Sequence, residues 1–146
     1  MSNPGPAVTN SAHPSNVSTN QALRLLGVAR GVSVTATGNV SMQINNSTVY
    51  LPTSMIVTNS NNAGTSVSAA SAALSIYTGS GATGSEVFAS TTLANCTTNV
   101  GTQVVTAFES TTAFTAQNLF INVGTASSNV GTVDVYVYGY DFSTTS

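Results

Sequence analysis

Charge is what this chain has least of. Only 4% of its 146 residues are charged: two arginines, four acids and no lysine at all. Typical soluble domains carry about a quarter. Nucleic-acid binding needs several cations to neutralise phosphates, and Arg24 and Arg30 cannot supply them. Genome packaging and nucleic-acid reading are therefore excluded, as is a polybasic membrane anchor. With one cysteine, Cys96, no internal disulfide can form, so the fold does not depend on an oxidising compartment. With one histidine, His13, there is no His-based metal site and only a poor base for a nucleophile triad. No apolar run approaches the roughly 20 residues of a membrane span. The opening Met1-Ser-Asn-Pro-Gly-Pro6 has neither a basic n-region nor an apolar h-region. Synthesis in a cytoplasm is the expectation.

What replaces charge is hydroxyl and amide: 21 Ser, 23 Thr and 15 Asn. Thr favours strands, while Asn, Ser and Gly favour turns. The same residues compete with a helix backbone for its hydrogen bonds. A hydrophobic fraction of 41% is ordinary for a globular chain. This is the composition of an all-β protein long enough to bury one core.

Residues 1–27 read as an amino-terminal arm with a short helical segment, and 28–146 as the β domain. The arm carries Pro4, Pro6 and Pro14. Ser18-Thr-Asn-Gln21 fits a capping box, and Ala22–Leu26 followed by Gly27 predicts one two-turn helix with Leu23 and Leu26 on one face. From Arg30 the period switches to 2: Val32, Val34 and Ala36, then Val40, Met42 and Ile44 after a hairpin-type Gly38-Asn39 turn. Pro52 should interrupt or edge the run from Thr48, and Asn59 to Ser71 is loop-like. Further strands are predicted near 72–78, 86–90, 103–108, 117–123 and 131–142. The expected fold is a single antiparallel β-sandwich or jelly-roll-like domain of about eight strands.

Constellations able to carry chemistry are wanting. Gly79-Ser-Gly-Ala-Thr-Gly84 matches G-x-G-x-x-G, but a strand-like Ser-Glu-Val-Phe follows it where a dinucleotide site needs a helix, so it reads as a turn. Glu86, Glu109, Asp134 and Asp141 form no convincing general-acid pair. No catalytic, metal-binding or cofactor-binding residue is assigned, and no cofactor is expected. The most informative stretch is the last strand. Val133, Val135 and Val137 share one face with Gly139, and Asp134, Tyr136, Tyr138, Tyr140 and Phe142 share the other. Tyrosines on a strand face serve as packing, as a subunit interface or as a sugar platform.

The polar arm, the Thr/Ser/Asn-rich β domain, Ile76-Tyr-Thr78 running into a Gly-rich turn, and the terminal Val-Asp-Val-Tyr-Val-Tyr-Gly together resemble small structural proteins of tailed bacteriophages. Within that group the likeness is to capsid decoration, or cement, proteins, over roughly residues 28–142. The resemblance implies a non-catalytic virion protein on the outer capsid surface, bridging major capsid proteins, commonly as a trimer. An outer-surface protein need not be basic, which suits the composition. Leu23, Arg24, Leu26, Arg30, Tyr136, Tyr138 and Tyr140 are the candidate interface residues. The alternative is a receptor- or glycan-binding module of a tail fibre or surface adhesin, using the tyrosine face.

Overall fold

Alternating burial along the last strand shows how the molecule is layered: Val133, Val135 and Val137 are fully buried, while Tyr136, Tyr138 and Tyr140 are half-buried. The computed structural model describes residues 23–45, 47–106 and 113–143. Nine strands occur in it: β1 (Leu23–Ser33), β2 (Gly38–Gln43), β3 (Tyr50–Asn62), β4 (Thr65–Ser66), β5 (Ala73–Gly79), β6 (Thr83–Thr92), β7 (Gln103–Thr106), β8 (Asn118–Thr125) and β9 (Thr132–Asp141). One sheet runs β1-β9-β3-β4 with β7 also on β3, and the other runs β2-β8-β5-β6. All pairings are antiparallel. The two sheets form a β-sandwich, as the period-2 patterning predicted.

The core lies between them. Leu26, Met55, Val57 and the three β9 valines meet Met42, Leu74, Ile76, Phe88, Leu119 and Ile121, all buried. Each such side chain contributes about 1.5–3 kcal/mol of transfer free energy. Cys96 belongs to this core: its thiol donates to the Val57 carbonyl at 3.4 Å. Burial pushes the thiol up, against a smaller lowering from the Gln103 backbone, which makes it a packing residue rather than a nucleophile. Tyr50 closes one end. Its ring stacks on Phe114 with centroids 6.4 Å apart, its hydroxyl donates to the Ala116 carbonyl, and burial pushes its pKa up to about 12.

Several sequence expectations are corrected. The predicted helix is absent over its described part, since Leu23–Leu26 open β1 and pair with β9 from Leu23 opposite Tyr140; residues 18–22 lie outside the described residues. A two-turn helix is marginal alone, whereas pairing with β9 satisfies the backbone and buries Leu26 completely. Gly27 is therefore not a helix stop. A Cβ there would lie 3.1 Å from the Gln43 carbonyl oxygen and 3.2 Å from the Met42 sulfur, so glycine allows β1 to approach β2.

Gly38-Asn39 is the start of β2 rather than a turn; the chain crosses between sheets at 34–37. The stretch from Asn59 to Ser71 is only partly loop, because β3 continues to Asn62 and returns in β4 through Ala63-Gly64. Pro52 does not interrupt its strand. It sits beside Gly139, next to an irregularity and away from the β7 and β4 pairings, where a missing N–H costs nothing. Gly79–Gly84 is the β5–β6 turn, with positive φ at Gly81, Ala82 and Gly84.

At the rim of the sandwich, Arg24 donates to Asp141 at 2.7 Å, and Asp141 also accepts the Ser143 N–H at 2.9 Å. Burial raises the Asp141 carboxyl, but the Ser143 bonds and the Arg24 charge outweigh it and hold the group below its usual 3.8. A carboxyl depressed on folding stabilises the fold above its unfolded value, and that contribution disappears as pH falls through the folded value. The Arg24 side chain is 39% exposed, so solvent screening limits the effect to about 1 kcal/mol or less. Urea unfolding of wild type and Asp141→Asn should differ at pH 6 and converge as pH drops below 3.8; a difference that persists at pH about 2 would contradict this.

Candidate functional site

Register places the β9 tyrosines within continuous cross-strand rows, because directly opposed residues of an antiparallel pair share a face. One row is Val28, Tyr136, Ile56 and Val104, drawn from β1, β9, β3 and β7. The next is Leu25, Tyr138, Ser54 and Thr106, and the third is Leu23, Tyr140 and Leu51. Leu23 is 57% and Val104 59% exposed, and the others apart from exposed Thr106 are half-buried. The outer face of this sheet is thus a wall of tyrosines and aliphatics.

The polar end of the wall is tied together. Arg30 donates to the Tyr136 hydroxyl at 3.1 Å with its guanidinium carbon 5.5 Å from that ring's centroid, a hydrogen bond and a cation–π contact at once. Beside it, Asp134 accepts from the Gly31 N–H and from Asn59 Nδ2, both at 2.9 Å. Both carboxylate oxygens are engaged, and the residue is 8% exposed. The Asp134 carboxylate is thus occupied, while exposed Arg30 commits one N–H to Tyr136.

The opposite sheet provides the contrast. Its outer rows are Gln43 with Asn118, then Ser41, Phe120, Tyr77 and Glu86, then Asn39, Asn122 and Ser75. There Tyr77 donates to Glu86 at 2.8 Å. Apart from Phe120 and Tyr77 in its central row, that face follows the ordinary rule of an antiparallel sheet, apolar inward and polar outward. The tyrosine-bearing face breaks it.

Of the predicted interface residues, Leu23, Arg30, Tyr136, Tyr138 and Tyr140 come together on the one face. Leu26 does not: it is fully buried in the core and offers nothing to a partner. Arg24 registers with Gly139, an inward position, and is held by Asp141 at the rim. Sequence reasoning missed Leu25, Val28, Leu51, Ile56 and Val104. The signal was present in Leu23, Leu25 and the apolar positions after Gly27, but the helix assignment placed the leucines on the wrong period. His13 and Glu109 lie outside the described residues.

Among the described residues no group of three or more His, Cys, Asp or Glu is placed to hold a metal ion. No helix among them is long and apolar enough to cross a membrane. No protein-family model matches the chain, and no curated protein matches it. The functional reading therefore rests on the geometry above and on the resemblance in the sequence.

Proposed function

We propose that this chain is a structural protein of a tailed-phage head, a decoration protein that binds the outer capsid surface and stabilises it by bridging major capsid proteins. The observation that carries the reading is the contrast between the two outer faces. One is mostly polar, with Phe120 and Tyr77 in its central row, and the other is an aromatic and aliphatic surface whose charged groups among the described residues, Arg30 and Asp134, bond within the chain. Exposed Leu23 and Val104 beside half-buried tyrosines and aliphatics favour macromolecular contact on that side. A charge-poor chain suits contact made by shape and apolar burial, with no demand for base, nucleophile or metal.

The glycan-binding alternative draws on the tyrosine row, since sugars stack on such rings. It is weakened where it would need help most. Sugar hydroxyls seek charged hydrogen-bond partners beside the rings, yet at the Tyr136 end both Asp134 oxygens are occupied and Arg30 lies over the ring, which leaves the Ser54 and Thr106 hydroxyls beside Tyr138.

The test is to add the purified chain to heads of its phage that lack it. Saturable occupancy and a raised rupture temperature are expected. A variant lacking residues 1–22, which precede β1, should lose at least about tenfold in affinity, or about 1.4 kcal/mol, while its far-UV circular dichroism stays that of a β protein. Heads that neither bind the chain nor gain resistance would refute the reading.

A further inference from the structure

We infer that the outer face of the β2-β8-β5-β6 sheet binds a neutral oligosaccharide, stacked on Phe120 and Tyr77. The inference goes beyond the capsid reading and stands without it. It concerns the opposite side of the sandwich, so a chain seated by its tyrosine face turns this one outward.

The rings come first. Phe120 of β8 stands directly opposite Tyr77 of β5 on one side and Ser41 of β2 on the other. Opposed side chains on neighbouring strands have Cβ atoms about 5 Å apart. Both rings are half-buried and Ser41 is exposed. Two adjacent aromatic surfaces therefore stand in the middle of a face that is otherwise polar, where solvation alone calls for polar side chains. The apolar C–H face of a sugar ring stacks on such a surface, and Tyr77 adds a polar handle beside it.

Hydrogen bonding comes second. Successive outward residues of a strand lie about 6.6 Å apart, so amides flank the rings on both sides. Asn39 and Asn122 form one neighbouring row, and exposed Gln43 and Asn118 form the other. An amide both donates and accepts, which is what sugar hydroxyls ask of a site. Asn39 Oδ1 accepts the Gly81 N–H at 3.1 Å, and Asn122 Nδ2 donates to the Ser75 hydroxyl at 3.5 Å. Asn39 Nδ2 and Asn122 Oδ1 are left to face a ligand. On β6, Glu86 accepts the Tyr77 hydroxyl on Oε2 at 2.8 Å, which steadies the ring and leaves Oε1 as a charged acceptor. The tyrosine face lacks that condition, since both Asp134 oxygens are occupied.

Charge selects the class of ligand. Glu86 is the charged residue of these rows, and the chain's two cations, Arg24 and Arg30, both lie on β1 of the other sheet. A phosphate, sulfate or uronate would meet no counter-charge here and would be repelled by Glu86. A neutral saccharide needs only rings, amides and one carboxylate. A protein partner fits less well, because two rings among amides lack the desolvated apolar surround of an interface hot spot.

Titration of the full ¹⁵N-labelled chain with neutral trisaccharides of glucose, of galactose and of N-acetylglucosamine, followed by NMR, tests this. The face is open rather than concave, so at least one of them should bind with a Kd of about 1 mM and saturate near 10 mM, about tenfold higher. The shifts should centre on β8 and β5. Phe120→Ala should weaken binding at least about tenfold. The double variant Gln43→Ala/Asn118→Ala changes exposed residues alone and should weaken it about fivefold; this arm decides the matter even if Phe120→Ala fails to fold. Tyr138→Ala, on the other sheet, should leave it unchanged. No saturable shift with any of the three, shifts centred on β1 and β9, unaltered affinity in the double variant, or tighter binding of a sulfated trisaccharide would each overturn the inference. Capsid occupancy lost in the double variant would give this face to a protein and overturn it too, with the capsid reading intact. Sugar binding by a chain indifferent to capsids would overturn only the capsid reading.

Discussion

Gly139→Val is expected to destabilise the fold by at least about 3 kcal/mol and to lower Tm by roughly 10 °C or more. Gly139 lies on the valine face of β9, opposite Pro52 of β3. A Cβ there would run into the Leu51 carbonyl oxygen and lie 2.8 Å from both Leu26 Cδ1 and the Pro52 Cα. Two of those three obstacles are backbone, so no rotamer change relieves them. Overpacking alone costs about 1–3 kcal/mol; here β9 must also move away from β3 and weaken the ladder that centres the sheet. Against a total stability of about 5–15 kcal/mol the loss is large. Urea unfolding, with near-UV circular dichroism to report packing, measures it. A variant within about 1 kcal/mol of wild type would mean that β9 and β3 are not in this register.

Gly139 also shows which parts of the fold were legible. Val133, Val135 and Val137 announced an inward stripe by simple alternation, and all three are fully buried. Gly139 falls on that stripe by the same count, but the reason for a glycine there depends on Leu51 and Pro52, some ninety residues earlier in the chain. The sandwich was readable because period 2 is a local property. The sheet order was not, because it depends on which distant strand each edge finds.

Residues 23–27 misled for the converse reason. A capping-box pattern and an i, i+3 leucine pair are local helix signals, and the ladder with β9 overrode them. That misreading hid the β1 part of the contact face, Leu25 and Val28. With β1 read as a strand, Leu23, Leu25 and Val28 line up beside the tyrosines already singled out. The tyrosines themselves were legible as a row, although what stands either side of them was not.

Asp134 was legible only as an outward acid, and its role yields the other large effect expected. Asp134→Ala should cost about 2–4 kcal/mol, more than an exposed aspartate on a strand would. Its two oxygens bond across β9 to neighbours on opposite sides: the Gly31 N–H of β1 and the Asn59 amide of β3. Both neighbours have positive φ, 68° at Gly31 and 57° at Asn59, and both strands shift register there, between Ala29 and Val32 and between Thr58 and Asn61. A non-glycine residue in the left-handed region costs about 1 kcal/mol or more unless its side chain bonds locally; the Asn59 amide bonds instead across the sheet to Asp134, which holds the residue in place. One carboxylate therefore pins two β-bulges at once.

Alanine leaves the Gly31 N–H short of its acceptor and releases Asn59. Asparagine can still accept from Gly31 while presenting an N–H to Asn59, so Asp134→Asn should lose about half as much. Hydrogen exchange separates this account from simple loss of charge. Gly31 amide protection should collapse in Asp134→Ala and persist in Asp134→Asn, under conditions where the core amides of β9 remain protected in both. Equal protection of Gly31 in the two variants would show that the bulges hold themselves. Since Arg30 is carried on the β1 bulge and covers Tyr136, the same alanine variant should also loosen the polar end of the tyrosine face, leaving Arg30 free of its ring.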